Sequence, residues 1–152
     1  MQGTEKGIKK SIDVKVKGLY PMPGGNYRLT GQTTFHPVNH YGTYYTVVNT
    51  RLIAEDFYEQ SKATLGINDM SLIWGGGFDI YGRWLEDITS PKCRQKGYGH
   101  CSHRKGTSVD IDRSALGPKG YIRVDKIQIK KICEKNGGRL VEEATIHCEF
   151  KR

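Results

Sequence analysis

The feature that most constrains the fold is an alternation of apolar and polar residues near the carboxyl end, in "TIHCEF" at residues 145–150. Successive side chains of a β-strand point to opposite faces of a sheet, so a period of two predicts a strand with one face in an apolar core. The apolar members are Ile146, Cys148 and Phe150. The chain therefore needs a sheet that is covered on one face and leaves His147 among polar neighbours on the other.

Helical and strand patterns occupy separate parts of the chain. Residues 50–66, "TRLIAEDFYEQSKATLG", have apolar side chains on one helical face and predict a helix that stops at Gly66. A second helix is predicted near residues 124–135, starting close to Asp125. Strands are predicted at residues 12–16, 27–34, 108–112 and 139–150. Segregated strands with two helices indicate an α+β domain.

Length, hydropathy and charge limit the class of protein. The 152 residues predict a single domain over 1–152, with a polar, flexible segment at 1–10. No apolar run approaches the ~20 residues that cross a bilayer, so we expect no membrane span. The net charge of +8 favours anionic partners. The basic stretch at 92–105 contains only Tyr98 as a stacking aromatic, which argues against nucleic acid.

The cysteine count leaves two interpretations open. Four cysteines permit two disulfides in an oxidising compartment, and they equally permit four buried thiols. No Cys-x-x-Cys pair occurs, which argues against a structural zinc knuckle or a thioredoxin-like site. Cys93 and Cys101 bracket a glycine-containing loop, and we predict a disulfide between them.

A candidate metal site lies in the stretch "HRKGTSVDID". His103 and Asp110 are seven positions apart, and a loop that doubles back at Gly106 can bring both to one cation. His147 offers a third ligand, the number that a catalytic zinc typically takes from the protein. Asp112 shares the strand face of Asp110 and is either a surface carboxylate or an acceptor that orients a ligand imidazole. The spacing alone also allows these histidines to be ordinary hydrogen-bonded residues.

The stretch "SHRKGTSVDI" with "TIHCEF" resembles the zinc motifs of the group that unites D-Ala-D-Ala metallopeptidases, penicillin-insensitive murein endopeptidases and hedgehog signalling domains. His103, Gly106 and Asp110 match the core His-x-x-Gly-x-x-x-Asp, although the serine before it is displaced by one position. The resemblance covers roughly 51–150. It implies a small antiparallel β-sheet with flanking helices, and zinc in a groove on the sheet held by His103, Asp110 and His147.

The activity implied by the resemblance is that of a zinc-dependent peptidase, which hydrolyses peptide cross-links of bacterial peptidoglycan with metal-activated water. In the group, the base is a Glu or Asp three positions before the second-motif histidine, or a His two before it. Ala144 and Thr145 stand there in this chain. Glu143, predicted on the strand face of His147, is our candidate base. His100, similar to an extra histidine of murein endopeptidases, is the alternative base or oxyanion donor. Glu143 could equally be a solvated carboxylate on a strand, and His100 could equally be a loop histidine without a catalytic role.

Two other functions stay open. The missing base favours a degenerate domain that keeps zinc for structure or for binding the cell wall or a protein. A basic nucleic-acid-binding protein with incidental histidines is the third candidate, and its affinity would fall steeply with salt. The expected partners are a peptidoglycan peptide or another peptide, with anionic wall polymers. We expect a monomer that is secreted, periplasmic or wall-associated, as a processed chain, a domain of a longer protein or a phage lysis protein.

Overall fold

The computed structural model describes residues 18–34, 37–73, 77–78, 84–85, 103, 105–142 and 145–150, with the backbone alone at 77–78, 84–85 and 142. Several sequence predictions lie outside the described residues: the segment 1–10, the strand at 12–16, the Cys93–Cys101 pair, and the catalytic candidates His100 and Glu143.

The described part of the chain has an α+β architecture, as predicted. Its elements, in chain order, are β1 (Tyr20–Pro21), β2 (Tyr27–Leu29), β3 (Tyr41–Gly42), α1 (Tyr44–Ser61), β4 (Thr64–Ile67), β5 (Gly77–Phe78), β6 (Trp84–Leu85), β7 (Ser108–Gly117), β8 (Gly120–Arg123), α2 (Lys126–Lys135), β9 (Arg139–Glu142) and β10 (Ile146–Glu149). None of the described helices is both long and apolar enough to cross a membrane.

The main sheet has the strand order β2-β4-β7-β10-β9, with β8 beside β7, and two small sheets pair β1 with β3 and β5 with β6. The predicted antiparallel sheet is wrong in one respect, because β2 runs parallel to β4. The chain between them contains α1, and a helical crossover is what allows two strands to pair in parallel. The main sheet is therefore mixed.

Strand β7 organises the sheet because it is ten residues long and has neighbours on both edges. Strand β4 pairs along one edge. On the other edge, β10 pairs with its first half and β8 with its second half. The register places His147 opposite Asp110 and Cys148 opposite Val109. The predicted strand at 108–112 is confirmed, and it extends to Gly117.

The segment predicted as one strand at 139–150 forms a hairpin of β9 and β10. Thr145 lies at a bend before β10 and lines a groove beside α2.

Helix α1 begins at Tyr44, earlier than the predicted residue 50. Thr43 caps it, since its hydroxyl oxygen accepts a hydrogen bond from the Thr46 amide at 3.2 Å. An N-cap of this kind satisfies one of the amides that have no partner inside the helix. The prediction missed the start because the cap lies in a stretch that resembles a loop.

The predicted helix stop at Gly66 is also wrong. The helix ends at Ser61, and Lys62 caps it in the left-handed conformation, with its amide donating to the Tyr58 carbonyl oxygen at 2.7 Å. Gly66 instead lies inside β4, where a Cβ would collide with the carboxylate of Asp112. A glycine within a strand is typical of such a close approach.

The predicted helix near residues 124–135 is confirmed, since α2 spans Lys126–Lys135. Asp125 is the N-cap, and its carboxylate accepts a hydrogen bond from the Gln128 amide at 2.7 Å. Ile129, Ile132 and Cys133 are the buried positions on its inner face. This helical spacing of apolar residues is the pattern from which the helix was predicted.

Both helices contribute to one apolar core. Helix α1 packs against β4 and β7, α2 packs against β9, and the two helices contact each other. A disulfide between Cys133 and Cys148 joins α2 to β10 across this core. A Cβ on Gly138 would collide with both sulfur atoms, so the glycine permits the chain to pass over the disulfide. The sequence predicted a buried Cys148 but not this pairing.

Candidate metal centre

The loop before β7 doubles back at Gly106, as the sequence predicts. The Gly106 amide donates to the His103 carbonyl oxygen at 2.8 Å, and the Gly106 carbonyl oxygen accepts from the Thr43 amide at 2.8 Å. Gly106 has a φ of 65°, a conformation that favours glycine. A Cβ there would also crowd the side chain of Leu19. These contacts fix the position of His103 relative to β7.

Two adjacent strands and this loop bring three polar side chains together. The Nδ1 atom of His147 is 2.7 Å from Oδ1 of Asp110, a hydrogen bond across the β7–β10 register. The Nε2 atom of His103 is 3.6 Å from Oδ2 of the same carboxylate. The two imidazole rings lie edge to face, with centroids 5.0 Å apart. The carboxylate is therefore held between two imidazoles.

The three side chains are buried, with 1% of His103, 4% of Asp110 and 2% of His147 exposed. Burial raises the pKa of the Asp110 carboxyl, but hydrogen bonds and charge from His103 and His147 outweigh burial and hold the pKa well below its usual range. A buried carboxylate without compensation would be costly. Asp110 is therefore a buried anion that is available as a ligand.

The donor atoms of the three residues all lie within 4.8 Å of one another, so the group can hold a metal ion. Two imidazoles and a carboxylate are ligands that zinc and several other divalent ions accept. Tetrahedral ligands at about 2.0–2.2 Å from zinc lie roughly 3.3 Å apart. The 3.6 Å between His103 and Asp110 is close to that separation, whereas the 2.7 Å between His147 and Asp110 is a hydrogen bond. The residue types and the His103–Asp110 separation thus fit a divalent ion, and the His147–Asp110 hydrogen bond would have to open to admit it.

A second carboxylate faces the outer side of His147. The Oε1 atom of Glu149 is 3.8 Å from Nε2 of His147, and its Oε2 accepts a hydrogen bond from Arg139 at 2.9 Å. Glu149 is 24% exposed, so it connects the buried group with the surface. The sequence analysis singled out no role for Arg139. The register of the β9–β10 hairpin, which pairs Arg139 with Glu149, was the signal needed.

Asp112 has structural partners instead of contacts with the imidazoles. It accepts hydrogen bonds from Thr30 and Asn68, each at 3.0 Å, and the Arg28 guanidinium lies 4.0 Å away. These contacts join β7 to the chain on either side of α1. Asp112 therefore anchors the sheet while its side chain stays 23% exposed, and its hydrogen bonds are with Thr30 and Asn68.

The structure places all three predicted metal ligands in one group, whereas His100 and Glu143 lie outside the described residues. Comparison with models of known protein families gives no match, and comparison with the sequences of curated proteins gives none either.

Proposed function

We propose that this chain is a zinc-dependent peptidase that hydrolyses peptide cross-links of bacterial peptidoglycan. The observation that supports it is the buried group of His103, Asp110 and His147, whose donor atoms lie within 4.8 Å of one another. The sequence resemblance selects the same three residues as zinc ligands. A loop and two strands must meet to form the group, so its assembly is a stronger argument than the spacing alone.

Three side chains would hold the ion. Zinc, when bound, polarises a water molecule and stabilises the negative charge that develops on a peptide carbonyl oxygen. Nδ1 of His147 faces Asp110, which leaves Nε2 facing Glu149. An imidazole that binds a metal commonly directs its other nitrogen towards a carboxylate, which sets the orientation of the ring. Glu149 is therefore assigned a positioning role.

Proton transfer needs a separate group, which takes a proton from water and returns it to the leaving amine. Glu143 and His100 remain the candidates for this role. Thr145 stands where some relatives carry a histidine base, but it is exposed beside α2. The base of this chain must therefore differ from the pattern of the group.

Charge and covalent structure support a location outside the cytoplasm. The Cys133–Cys148 disulfide is typical of an oxidising compartment. The net charge of +8 suits an anionic cell wall. We propose a secreted, periplasmic or wall-associated monomer.

A second candidate function is a domain that keeps zinc for structure or binding and has lost catalysis. The observation that favours it is the identity of residue 145, because a threonine provides no base at the position where some members of the resembled group carry a histidine. This domain would bind zinc and a wall or protein ligand without turnover.

The test measures zinc content together with release of soluble fragments from purified peptidoglycan, with and without a chelator. We expect one zinc per chain and release that the chelator abolishes. The His103→Ala variant, folded but without zinc, should release nothing, and Glu143→Gln should keep zinc while losing release.

Zinc without release from several wall types would favour the degenerate domain. If the protein binds no zinc after reconstitution, and instead binds nucleic acid with an affinity that falls steeply with salt, the peptidase is refuted. That result would favour a nucleic-acid-binding protein. Unchanged release by Glu143→Gln would transfer the base assignment to His100.

A further inference from the structure

A groove of about 470 Å³ runs between α2 and the β9–β10 hairpin. That volume is within the ~300–1,000 Å³ that is typical of ligand sites. None of the three metal-centre residues lines it. Lysines make its rim basic, and they are Lys126, Lys130 and Lys131. Its walls include the apolar side chains of Ile127, Leu140 and Val141.

The rim has an excess of positive charge. Lys130 lies 4.0 Å from Glu134, the one acidic side chain among the described residues that line the groove. Among the described residues, no carboxylate lies within ion-pair distance of Lys126 or Lys131. Two ammonium groups are therefore available to an anionic ligand.

Apolar side chains stand directly beside these charges. Ile127 has 67% of its surface exposed, although it lies on the first turn of α2 between lysines. Leu140 and Val141 are half-buried and line the opposite wall. A ligand that covers this groove must therefore offer apolar groups as well as negative charge.

The groove also reaches an open strand edge. In the described part of the chain, β9 is the outermost strand of the main sheet. Leu140 and Val141 are consecutive, so their side chains point to opposite faces, yet both line the groove. The groove therefore extends around the edge of β9, where backbone groups can pair with an extended peptide.

We propose that this groove docks an acidic, extended peptide segment of a partner protein, in which carboxylates alternate with apolar side chains. Carboxylates would meet Lys126 and Lys131, apolar side chains would contact Ile127 and Leu140, and the backbone would pair with β9. None of the three residues of the candidate metal centre lines this groove, although Val141 pairs with His147 in the β9–β10 hairpin, and the proposal does not depend on zinc chemistry.

Two other occupants fit less well. The described residues that line the groove include no aromatic side chain on which the bases of a nucleic acid could stack. A second copy of this chain carries the same net charge of +8, which opposes self-association at a basic surface. The chemistry therefore favours an acidic peptide.

The test uses a dye-labelled peptide of alternating Glu and Leu, titrated into the full chain and followed by fluorescence anisotropy. A Gln–Leu peptide and an oligothymidylate are the comparison ligands. We expect the Glu–Leu peptide to bind best, and the Lys126→Glu/Lys131→Glu variant to weaken it by about tenfold or more. Ile127→Ser should weaken it by several-fold, and backbone amide shifts should localise to α2 and β9.

The matched control is Lys119→Glu/Arg123→Glu, which reverses two exposed charges on and beside β8 and changes the net charge equally. It should weaken binding much less than the groove variant. Equal losses in both variants would overturn the proposal, as would no binding of the Glu–Leu peptide. Tighter binding of oligothymidylate with no effect of Ile127→Ser would assign the surface to a polyanion instead.

Discussion

The two faces of the main sheet are stabilised in different ways. One face packs against both helices, and a disulfide joins it to α2. The other face carries a buried ionic group, held by strand register and by the turn at Gly106. Consecutive residues of β10 serve the two faces, since Cys148 belongs to the first and His147 to the second. A single alternating strand thus supports both the core and the candidate site.

The largest expected effect is a loss of zinc affinity, and it distinguishes two aspartates, Asp110 and Asp112, on the polar face of the main sheet. Asp110→Asn should reduce zinc affinity by about 100-fold or more, since removing even an outer-shell partner of a ligand costs about 10–100-fold. Asp112→Asn should change zinc affinity only slightly, because the contacts of Asp112 are with Thr30 and Asn68. The measurement is competition with a zinc-chelating dye, with circular dichroism to verify folding. Equal losses in both variants would contradict the assignment of Asp110 as a ligand.

The second prediction concerns the apolar face. Replacing Cys133 and Cys148 together by alanine should lower the free energy of unfolding by about 3 kcal/mol, the value expected for a bond between residues that are 15 apart in sequence. Urea denaturation under non-reducing conditions measures this change. Zinc affinity of the folded protein should fall less than in Asp110→Asn. A larger loss of zinc affinity would show that the disulfide, not the strand register, positions His147.

The smallest expected effect is on the free energy of unfolding, and it concerns Asp56, which lies where the two helices meet. Asp56 accepts hydrogen bonds from Lys135 at 2.9 Å and from Asn136 at 2.8 Å. Burial raises its pKa, but these two bonds outweigh burial and lower it. Asp56→Asn should therefore lower the free energy of unfolding by about 1 kcal/mol or less at neutral pH.

The effect of Asp56 should depend on pH with a defined sign. Because the folded-state pKa is depressed, the contribution of Asp56 is present above the unfolded-state value near 4 and is lost as the pH falls towards the folded-state value. Urea denaturation at neutral and acidic pH should show wild type and Asp56→Asn converging in acid. A difference that grows on acidification would contradict this role for Asp56.

Local signals predicted much of the fold. The Asp125 cap with its apolar spacing predicted α2, and Gly106 predicted the reversal before β7. The three residues of the metal centre were selected by their resemblance to a known motif and lie together in the structure. The first two predictions are confirmed because each depends on residues close in sequence, and for the third the structure shows that the residues selected by the motif form a group that could hold a metal ion.

The remaining features depend on contacts between distant residues. The parallel pairing of β2 with β4 and the role of Gly66 require knowledge of which strands are neighbours. Four cysteines allow three pairings, which sequence alone does not distinguish. The role of Glu149 required the hairpin register that pairs it with Arg139.

The position of Cys148 directly after His147 has a consequence for folding. A slip of one residue in the pairing of β10 would turn His147 towards the helices and Cys148 towards Asp110. In that arrangement Cys148 would point away from Cys133, so the disulfide would not form. Formation of the Cys133–Cys148 disulfide therefore requires the same strand alignment that places His147 beside Asp110.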